Sequence, residues 1–430
     1  MINLPEKFIE NMKKQLPRNE WEAFFAVYKN KPFKGVRLNP FKGGRYALNG
    51  VLGEQIPWEE NGFYTDVEKL GASPFHLAGL FYSQEPSAMS AAPLLNVQAG
   101  EKVLDLCSAP GGKGTQLACA MDGKGLIVLN EPIGSRAKIL SGNVERMGVK
   151  NAVVTCETPE KLAQIFENYF DKILVDAPCS GEGMFRKNTE EALEEWSEEN
   201  VALCAARQKR ILKEAVKMLK AGGKLVYSTC TFAPQEDEEQ VSWLTDEYPQ
   251  MRLLSVEKLY PHKIKGEGHF VALFEKQGEE MNARVKVMKP FISRESERAF
   301  RAFEKETLQN VSMHNLHEVG GVLYALPDHV FDFKNLSVLR AGVRLGEVKN
   351  GRFEPSHSLA LATTKNEWKN AVDLSETDPR LEKYLRGETM EDTAVKNGWC
   401  VVCVAGFPIG LGKAVNGVVK NHLPKGLRKN

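Results

Sequence analysis

The stretch Val103-Leu104-Asp105-Leu106-Cys107-Ser108-Ala109-Pro110-Gly111-Gly112-Lys113-Gly114 constrains this chain more than any other. A short apolar run ends on an acid, passes through Cys-Ser-Ala-Pro and breaks on Gly-Gly. Thr115-Gln116-Leu117-Ala118 then reads as the start of a helix. Strand, glycine turn and helix in that order make a ligand crevice at the carboxyl end of the first strand of an α/β sheet. Small residues let the backbone approach a ligand, and the amides at the helix start offer donors to a negative group. Neither GxGxxG nor GxxxxGK[ST] is present, so nothing here asks for a pyrophosphate. A cofactor with one carboxylate and one ribose, such as S-adenosyl-L-methionine, suits the loop.

The 430 residues suffice for two to three domains. With 57 Lys and Arg against 56 Asp and Glu, the whole-molecule charge is silent about nucleic acid. The local distribution is not. From Lys396 onward, Lys413, Lys420, Lys425, Arg428 and Lys429 follow with no Asp or Glu among them. Such a tail suits phosphates, and it equally suits a solvated basic terminus. No run is long and apolar enough to span a membrane. The start, Met1-Ile2-Asn3-Leu4-Pro5-Glu6-Lys7, lacks the architecture of a signal peptide. These features predict a cytoplasmic protein whose eight cysteines are free thiols.

Three units are predicted. Residues 1–75 form a small α+β cap, with helices over Pro5–Lys14 and Asn19–Lys29 and a strand with basic flanks around Arg37. The helical spacing of Phe8, Met12, Trp21 and Phe24 reads as core rather than as a base-stacking platform, while the strand around Arg37 offers an RNA-facing edge. Residues 76–280 alternate strand and helix, the pattern of a mostly parallel sheet. The strands are the one at Val103, then Gly125–Asn130, Ala152–Thr155, Lys172–Asp176, Lys224–Ser228 and His269–Glu275. A long helix, Glu199–Leu219, is expected to stop at Gly222-Gly223, and an acidic helix covers Pro234–Glu247. A charged linker, Lys276–Lys289, leads to residues 290–430. There a helix at Glu295–Leu308 precedes short strands at Gly320–Leu326, Val338–Leu345, Ser358–Ala362 and Trp399–Ala405, with a helix near Asp378–Leu385. Regular turn signals between short strands suggest a barrel-like module.

Three places carry chemistry. Glu131 ends the second strand, where an acid commonly takes the ribose hydroxyls, although an acid also complements the start of the helix that follows. Asp176-Ala177-Pro178-Cys179-Ser180-Gly181-Glu182-Gly183 follows the fourth strand and places a carboxylate and a thiol in one turn stiffened by Pro178. Ser228-Thr229-Cys230-Thr231-Phe232 follows the fifth, which brings a second thiol to the same sheet edge. Two such cysteines suit a latent disulfide, half a zinc site or thiol chemistry. Neither stretch supplies further ligands at metal spacing, and Cys400-Val401-Val402-Cys403 reads as a plain strand, so no metal is expected. A thiolate beside a methyl donor suits one reaction in particular. Addition of the thiolate to C6 of a pyrimidine makes C5 nucleophilic enough to accept a methyl group, and a base then removes the C5 proton.

These motifs resemble those of the Sun/Nop family of RNA cytosine-C5 methyltransferases over Tyr82–Phe274, including Gly266-Glu267-Gly268-His269-Phe270. The resemblance implies a Rossmann-like S-adenosylmethionine-dependent core. It implies that Cys230 is the nucleophile, that Cys179 serves product release, and that Asp176 lies between cofactor and cytosine. Cys107, Ser108, Ala109, Pro110, Gly111, Gly112 and Lys113 would hold the cofactor, with Glu131 on its ribose and Arg136 nearby. Family members often carry an aspartate near the adenine, where this chain has Cys156-Glu157-Thr158. The stretches Phe407–Lys413 and Lys420–Arg428 are similar to the PUA-like C-terminal RNA-binding module of the RsmF type, which methylates small-subunit rRNA. Lys413, Lys420, Lys425 and Arg428 are then RNA contacts, with Arg37 from the cap. The expectation is a monomeric cytoplasmic enzyme that methylates C5 of cytosine in 16S rRNA, within the 30S subunit or its precursor. A tRNA methyltransferase of similar core and a non-catalytic assembly factor are the alternatives.

Overall fold

The structure, a computed structural model, describes residues 2–187, 189–279, 281 and 283–429; Glu280 and Asn282 of the expected linker lie outside the described residues. One sheet carries the middle of the chain. Its strands are β1 (Lys102–Asp105), β2 (Leu126–Asn130), β3 (Ala152–Thr155), β4 (Phe170–Asp176), β5 (Leu219–Thr229), β6 (Met251–Leu259), β7 (His269–Lys276) and β8 (Val338–Ala341). Their order is β8-β3-β2-β1-β4-β5-β7-β6. The run from β3 to β5 is parallel, and β7 lies antiparallel between β5 and β6. This is a Rossmann-like core. Helices α1 (Gly112–Ala120), α2 (Gly134–Arg146) and α3 (Glu198–Met218) pack on it. Apolar clusters cover both faces, which is why β1 to β4 read as nearly continuous hydrophobic runs. Because β1 has β2 on one side and β4 on the other, the chain reverses direction of travel there and opens a crevice at the strands' carboxyl ends.

Several expectations change. The strand β6 was invisible to pattern reading, because Met251 and Leu259 are buried only at its ends and no alternation marks an exposed edge strand. The long helix ends at Met218, before the glycine pair, and β5 begins at once with Leu219. Ser358–Ala362 is not a strand. His357–Leu361 forms a fully buried helical turn, and a short apolar run cannot distinguish the two by periodicity. Val338–Leu345 is two strands rather than one. Gly342 turns the chain at φ +59°, so that β8 pairs with β3 while Val343–Lys349 enters a separate four-stranded sheet. Residues 290–430 are therefore stitched into the catalytic sheet.

The cap helices Glu6–Gln15 and Trp21–Ala26 bury Phe8, Met12 and Phe24 against Phe185 and Phe232, so the aromatic stripe is core. Gly35–Leu38 is the middle strand of a three-stranded sheet, between Gly62–Tyr64 and Phe81–Ser83, and is no exposed edge. Arg37 on it is 1% exposed. Its guanidinium donates to Gln84, to the Gly112 carbonyl and to Thr115 Oγ1 at 2.7 Å. The expected RNA contact at Arg37 is thus corrected: Arg37 anchors the cap to the start of α1. A five-stranded sheet of Ala371–Leu374, Gly398–Val404, Phe407–Val415, Val418–Asn421 and Met390–Glu391 makes the PUA-like end. It shares a core with the cap, where Val36, Leu38 and Phe81 meet Val402, Phe407 and Ile409. Cys400 lies in that core and Cys403 in another, as strand alternation requires.

Candidate active site

The crevice is built on β1. Its last residue, Asp105, is buried with neither carboxylate oxygen hydrogen-bonded, and burial pushes its carboxyl up to about 7. Ser108 Oγ is likewise buried without a partner. Gly111 caps α1 at φ +111°, a conformation glycine tolerates. At Gly114 a Cβ would fall 2.5 Å from Ser108 Oγ and 2.9 Å from Asp105 Oδ2, so α1 is drawn close onto this floor. Two orphaned buried acceptors beneath a glycine turn fit an ammonium donor such as the amino-acid end of S-adenosylmethionine.

Glu131 is 2% exposed, accepts the Ile133 N–H at 3.0 Å and stands 3.2 Å from Arg136 Nη1. Arg136 also donates to the Ala109 carbonyl at 3.2 Å, and Asn143 donates to Pro110 O at 2.9 Å. Glu131, Arg136 and the loop Cys107–Lys113 therefore converge on one rim. In the segment after β3, both Glu157 and Thr158 have partners within the protein. Glu157 is paired with Lys161 at 2.8 Å and accepts the Ser337 N–H at 2.6 Å. Thr158 caps a short helix by accepting the Lys161 N–H.

Across the crevice, Asp176 ends β4. Lys113 Nζ lies 2.8 Å from its Oδ2, and Ser228 donates to its Oδ1 at 2.8 Å. Burial pushes the Asp176 carboxyl up, but the Lys113 ammonium and the Ser228 hydroxyl more than offset this and hold it below its ordinary range. His269, which sequence reasoning placed in a motif without a role, has its Nε2 3.7 Å from Asp176 Oδ1. Burial drives its imidazole down to about 3, so it is neutral.

The two thiols meet: Cys179 Sγ and Cys230 Sγ are 3.2 Å apart, and both cysteines are free. The hydrogen bond to Cys230 and burial push the Cys179 thiol well above the ordinary range. Their loops are laced together. Gly183 N–H donates to the Cys230 carbonyl at 2.8 Å, Ser180 and Thr231 share a hydroxyl bond of 2.9 Å, and Glu182 accepts the Phe232 N–H at 3.0 Å. Arg186 then ties this loop to the segment just before β7 by a bidentate pair with Glu267, both bonds 2.8 Å, in a buried setting. Glu236 and Asp237, expected within the acidic helix Pro234–Glu247, instead precede a helix of Glu238–Glu247 and are fully buried. Among the described residues no group of three His, Cys, Asp or Glu is arranged to hold a metal.

Residues 92–279 match the family described as 16S rRNA methyltransferase RsmB/F, and residues 4–86 the N-terminal domain of 16S rRNA methyltransferase RsmF. Residues 302–363 match the RsmF rRNA methyltransferase first C-terminal domain, and 369–429 the methyltransferase RsmF PUA domain. The chain is 32% identical over 465 residues to ribosomal RNA small subunit methyltransferase F of Vibrio vulnificus, covering 99% of this chain and 98% of that one. It is 31% identical over 482 residues to the protein of the same name from Shewanella piezotolerans, covering 100% and 98%. The chain belongs to the RsmF family.

Membership makes it an S-adenosylmethionine-dependent methyltransferase. A methyltransferase homologue from Pyrococcus horikoshii superposes with TM-score 0.54 at 26% identity, over 64% of this chain and 100% of that one. NSun6 from the same organism, solved with SFG, shares the fold at TM-score 0.58 and 21% identity, over 64% and 99%. In this RsmF-family chain the basic tail is not uniform. Lys420 and Lys425 are exposed, Lys413 Nζ sits 5.1 Å above the Trp399 ring, and half-buried Arg428 donates to the Leu423 carbonyl at 3.0 Å.

Proposed function

We propose that this enzyme methylates C5 of cytosine in 16S rRNA through a covalent bond from Cys230 to C6. The observation that carries the reading is the 3.2 Å approach of Cys179 and Cys230 at the carboxyl ends of β4 and β5, beside the Asp176–Lys113 pair. S-adenosylmethionine, when bound, supplies an electrophilic methyl group. Asp105 and Ser108 offer acceptors to its amino-acid end, and Glu131 offers a buried carboxylate to its ribose. The Cys230 thiolate forms the S–C6 bond, and the electron pair of C5=C6 takes the methyl at C5, the donor's S–CH3 bond breaking so that its electron pair stays on sulfur as a neutral thioether. The ammonium of Lys113, held 2.8 Å from Asp176, stabilises the negative charge that this addition puts on the ring. A base then takes the C5 proton, the C5=C6 pair is restored, and Cys230 leaves as thiolate; Cys179 serves this second half. The small-subunit substrate is supported by similarity along the full chain, tail included, to relatives named for that activity. The same reading places the protein in the cytoplasm.

Labelled methyl donor offered with 30S particles, naked 16S rRNA and tRNA tests the substrate, and label confined to tRNA overturns it. The thiol roles separate on a denaturing gel. Cys179→Ala is expected to show a nuclease-sensitive band of protein carrying RNA, and Cys230→Ala neither adduct nor methylation. An adduct from Cys230→Ala instead would exchange the roles.

A further inference from the structure

The peptide groups on both sides of Cys179 are held from one place. Gln208, on the inner face of α3, donates from Nε2 to the Pro178 carbonyl at 3.0 Å and to Glu236 Oε2 at 2.8 Å. Glu236 Oε2 also accepts the Ser180 N–H at 3.0 Å. Both side chains are fully buried. The Glu236 backbone is fixed as well, since Tyr227 Oη donates to its carbonyl at 2.5 Å. Residues 178 and 180 are therefore clamped by one Glu–Gln pair while the Cys179 sulfur stays directed at Cys230.

The hydrogen-bond partners of this carboxylate, Ser180 and Gln208, are uncharged. The titratable groups facing it are Cys179 and Glu182 from the loop after β4, Cys204 from α3 and Tyr227 from β5. All of these are acids. A buried acid without a cation is unfavourable wherever it serves packing alone. Burial accordingly pushes Glu236 up to about 7. One of its donors is the Ser180 N–H beside Cys179 and the other, Gln208, also holds the Pro178 carbonyl, so a negative charge there disfavours a second one on the Cys179 sulfur.

We propose that Glu236 and Gln208 are positioning residues that assign the two thiols their different roles. They pin Cys179 through its neighbouring peptides and set a carboxylate against it, so that Cys179 keeps its proton and the nucleophile's role falls to Cys230. The proposal rests on the reading in which Cys230 attacks and Cys179 serves release.

Two variants test it on the full-length protein, each first checked for folding by its thermal melt. The shorter bond from Ser180 and the bond from Gln208 both fall on Oε2, so in Glu236→Gln an amide oxygen accepts them, and the charge and the longer 3.4 Å contact to Oε1 are lost. The readout, taken without RNA, is the ratio of iodoacetamide labelling at Cys230 to that at Cys179, resolved by peptide mass spectrometry across pH 6–9. The wild type is expected to label Cys230 first, and Glu236→Gln to narrow the ratio about tenfold above pH 7, where the native carboxylate is ionised. An unchanged ratio in folded Glu236→Gln overturns the charge assignment. Gln208→Leu frees the Pro178 carbonyl and keeps the carboxylate, and is expected to trap RNA on the protein as Cys179→Ala does. If Cys179→Ala traps RNA and folded Gln208→Leu does not, the clamp is overturned. If Cys179→Ala traps none, the release role itself fails, and the labelling ratio still decides which sulfur Glu236 protects.

Discussion

Lys113, in the first turn of α1, sets its ammonium 2.8 Å from Asp176 at the end of β4. The contact spans the crevice at the point where the sheet order reverses, and joins the cofactor loop to the turn that carries Cys179. Burial alone would raise the Asp176 carboxyl, and Lys113 is the cation that prevents it. The native carboxyl is depressed, so its stabilising contribution is complete above the unfolded value of about 3.9 and fades as pH falls through the folded one. In Lys113→Met burial prevails and the carboxyl rises. The acid limb of kcat/KM is expected to move to higher pH, so that loss of activity is greater at pH 6 than at pH 8. A pH profile parallel to the wild type would remove Lys113 from this role.

Glu131→Ala is expected to weaken S-adenosylmethionine binding by about 1–3 kcal/mol, the range for losing hydrogen bonds to a buried charged group. Arg136, half-exposed beside it, should matter less: Arg136→Ala loses the bond to Ala109 O and leaves the carboxylate in place. Calorimetry on both variants orders them, and equal affinity in Glu131→Ala and wild type would move the ribose site elsewhere.

The Arg186–Glu267 pair is buried and bidentate, so removing one partner strands a charge. Arg186→Met is expected to cost about 3–5 kcal/mol in denaturant unfolding. Burial already raises the Glu267 carboxyl against the pull of Arg186, and without Arg186 it rises further. The native state then binds more protons than the unfolded one above about pH 4.3, so stability falls as pH rises. The deficit should be smaller at pH 5 than at pH 8. A deficit independent of pH would mean that Glu267 stays ionised in the variant.

RNA binding by the tail should follow exposure. Lys420→Glu and Lys425→Glu are expected to weaken RNA affinity and flatten its salt dependence by about 0.7–0.9 in slope for each phosphate left unneutralised. Arg37→Leu should leave that slope unchanged and lower the melting temperature, because its guanidinium bonds lie inside the protein. An unchanged slope in the double lysine variant would make the tail a solvated terminus.

Truncation after residue 289 removes β8 and leaves β3 as a bare edge. It also strips the shared core from Val36, Leu38 and Phe81. The shortened chain is expected to melt lower and to self-associate in sedimentation, since an unpaired strand edge templates pairing. A monomer of native melting temperature would show that the C-terminal stitch is dispensable.

The strand–turn–helix at Asp105–Gly114, the parallel run from β1 to β5 and the arrival of Cys179 and Cys230 at one sheet edge were all legible in the amino-acid sequence. Each is written within a few residues, as an apolar run, a glycine that tolerates φ +111° or a proline-stiffened turn. The partners of those elements were not legible. Val338–Ala341 reads like any short strand, and only the folded chain shows that it pairs with Ala152–Thr155 rather than with its sequence neighbours. Arg37 looks like a surface cation until the cap closes on α1, and Glu236 reads as one more residue of an acidic helix until Gln208 and Ser180 surround it. Periodicity and turn chemistry are local and survive in one dimension. Strand pairing, desolvation of a charge and the 3.2 Å between two sulfurs depend on segments far apart in sequence, and only tertiary packing decides them.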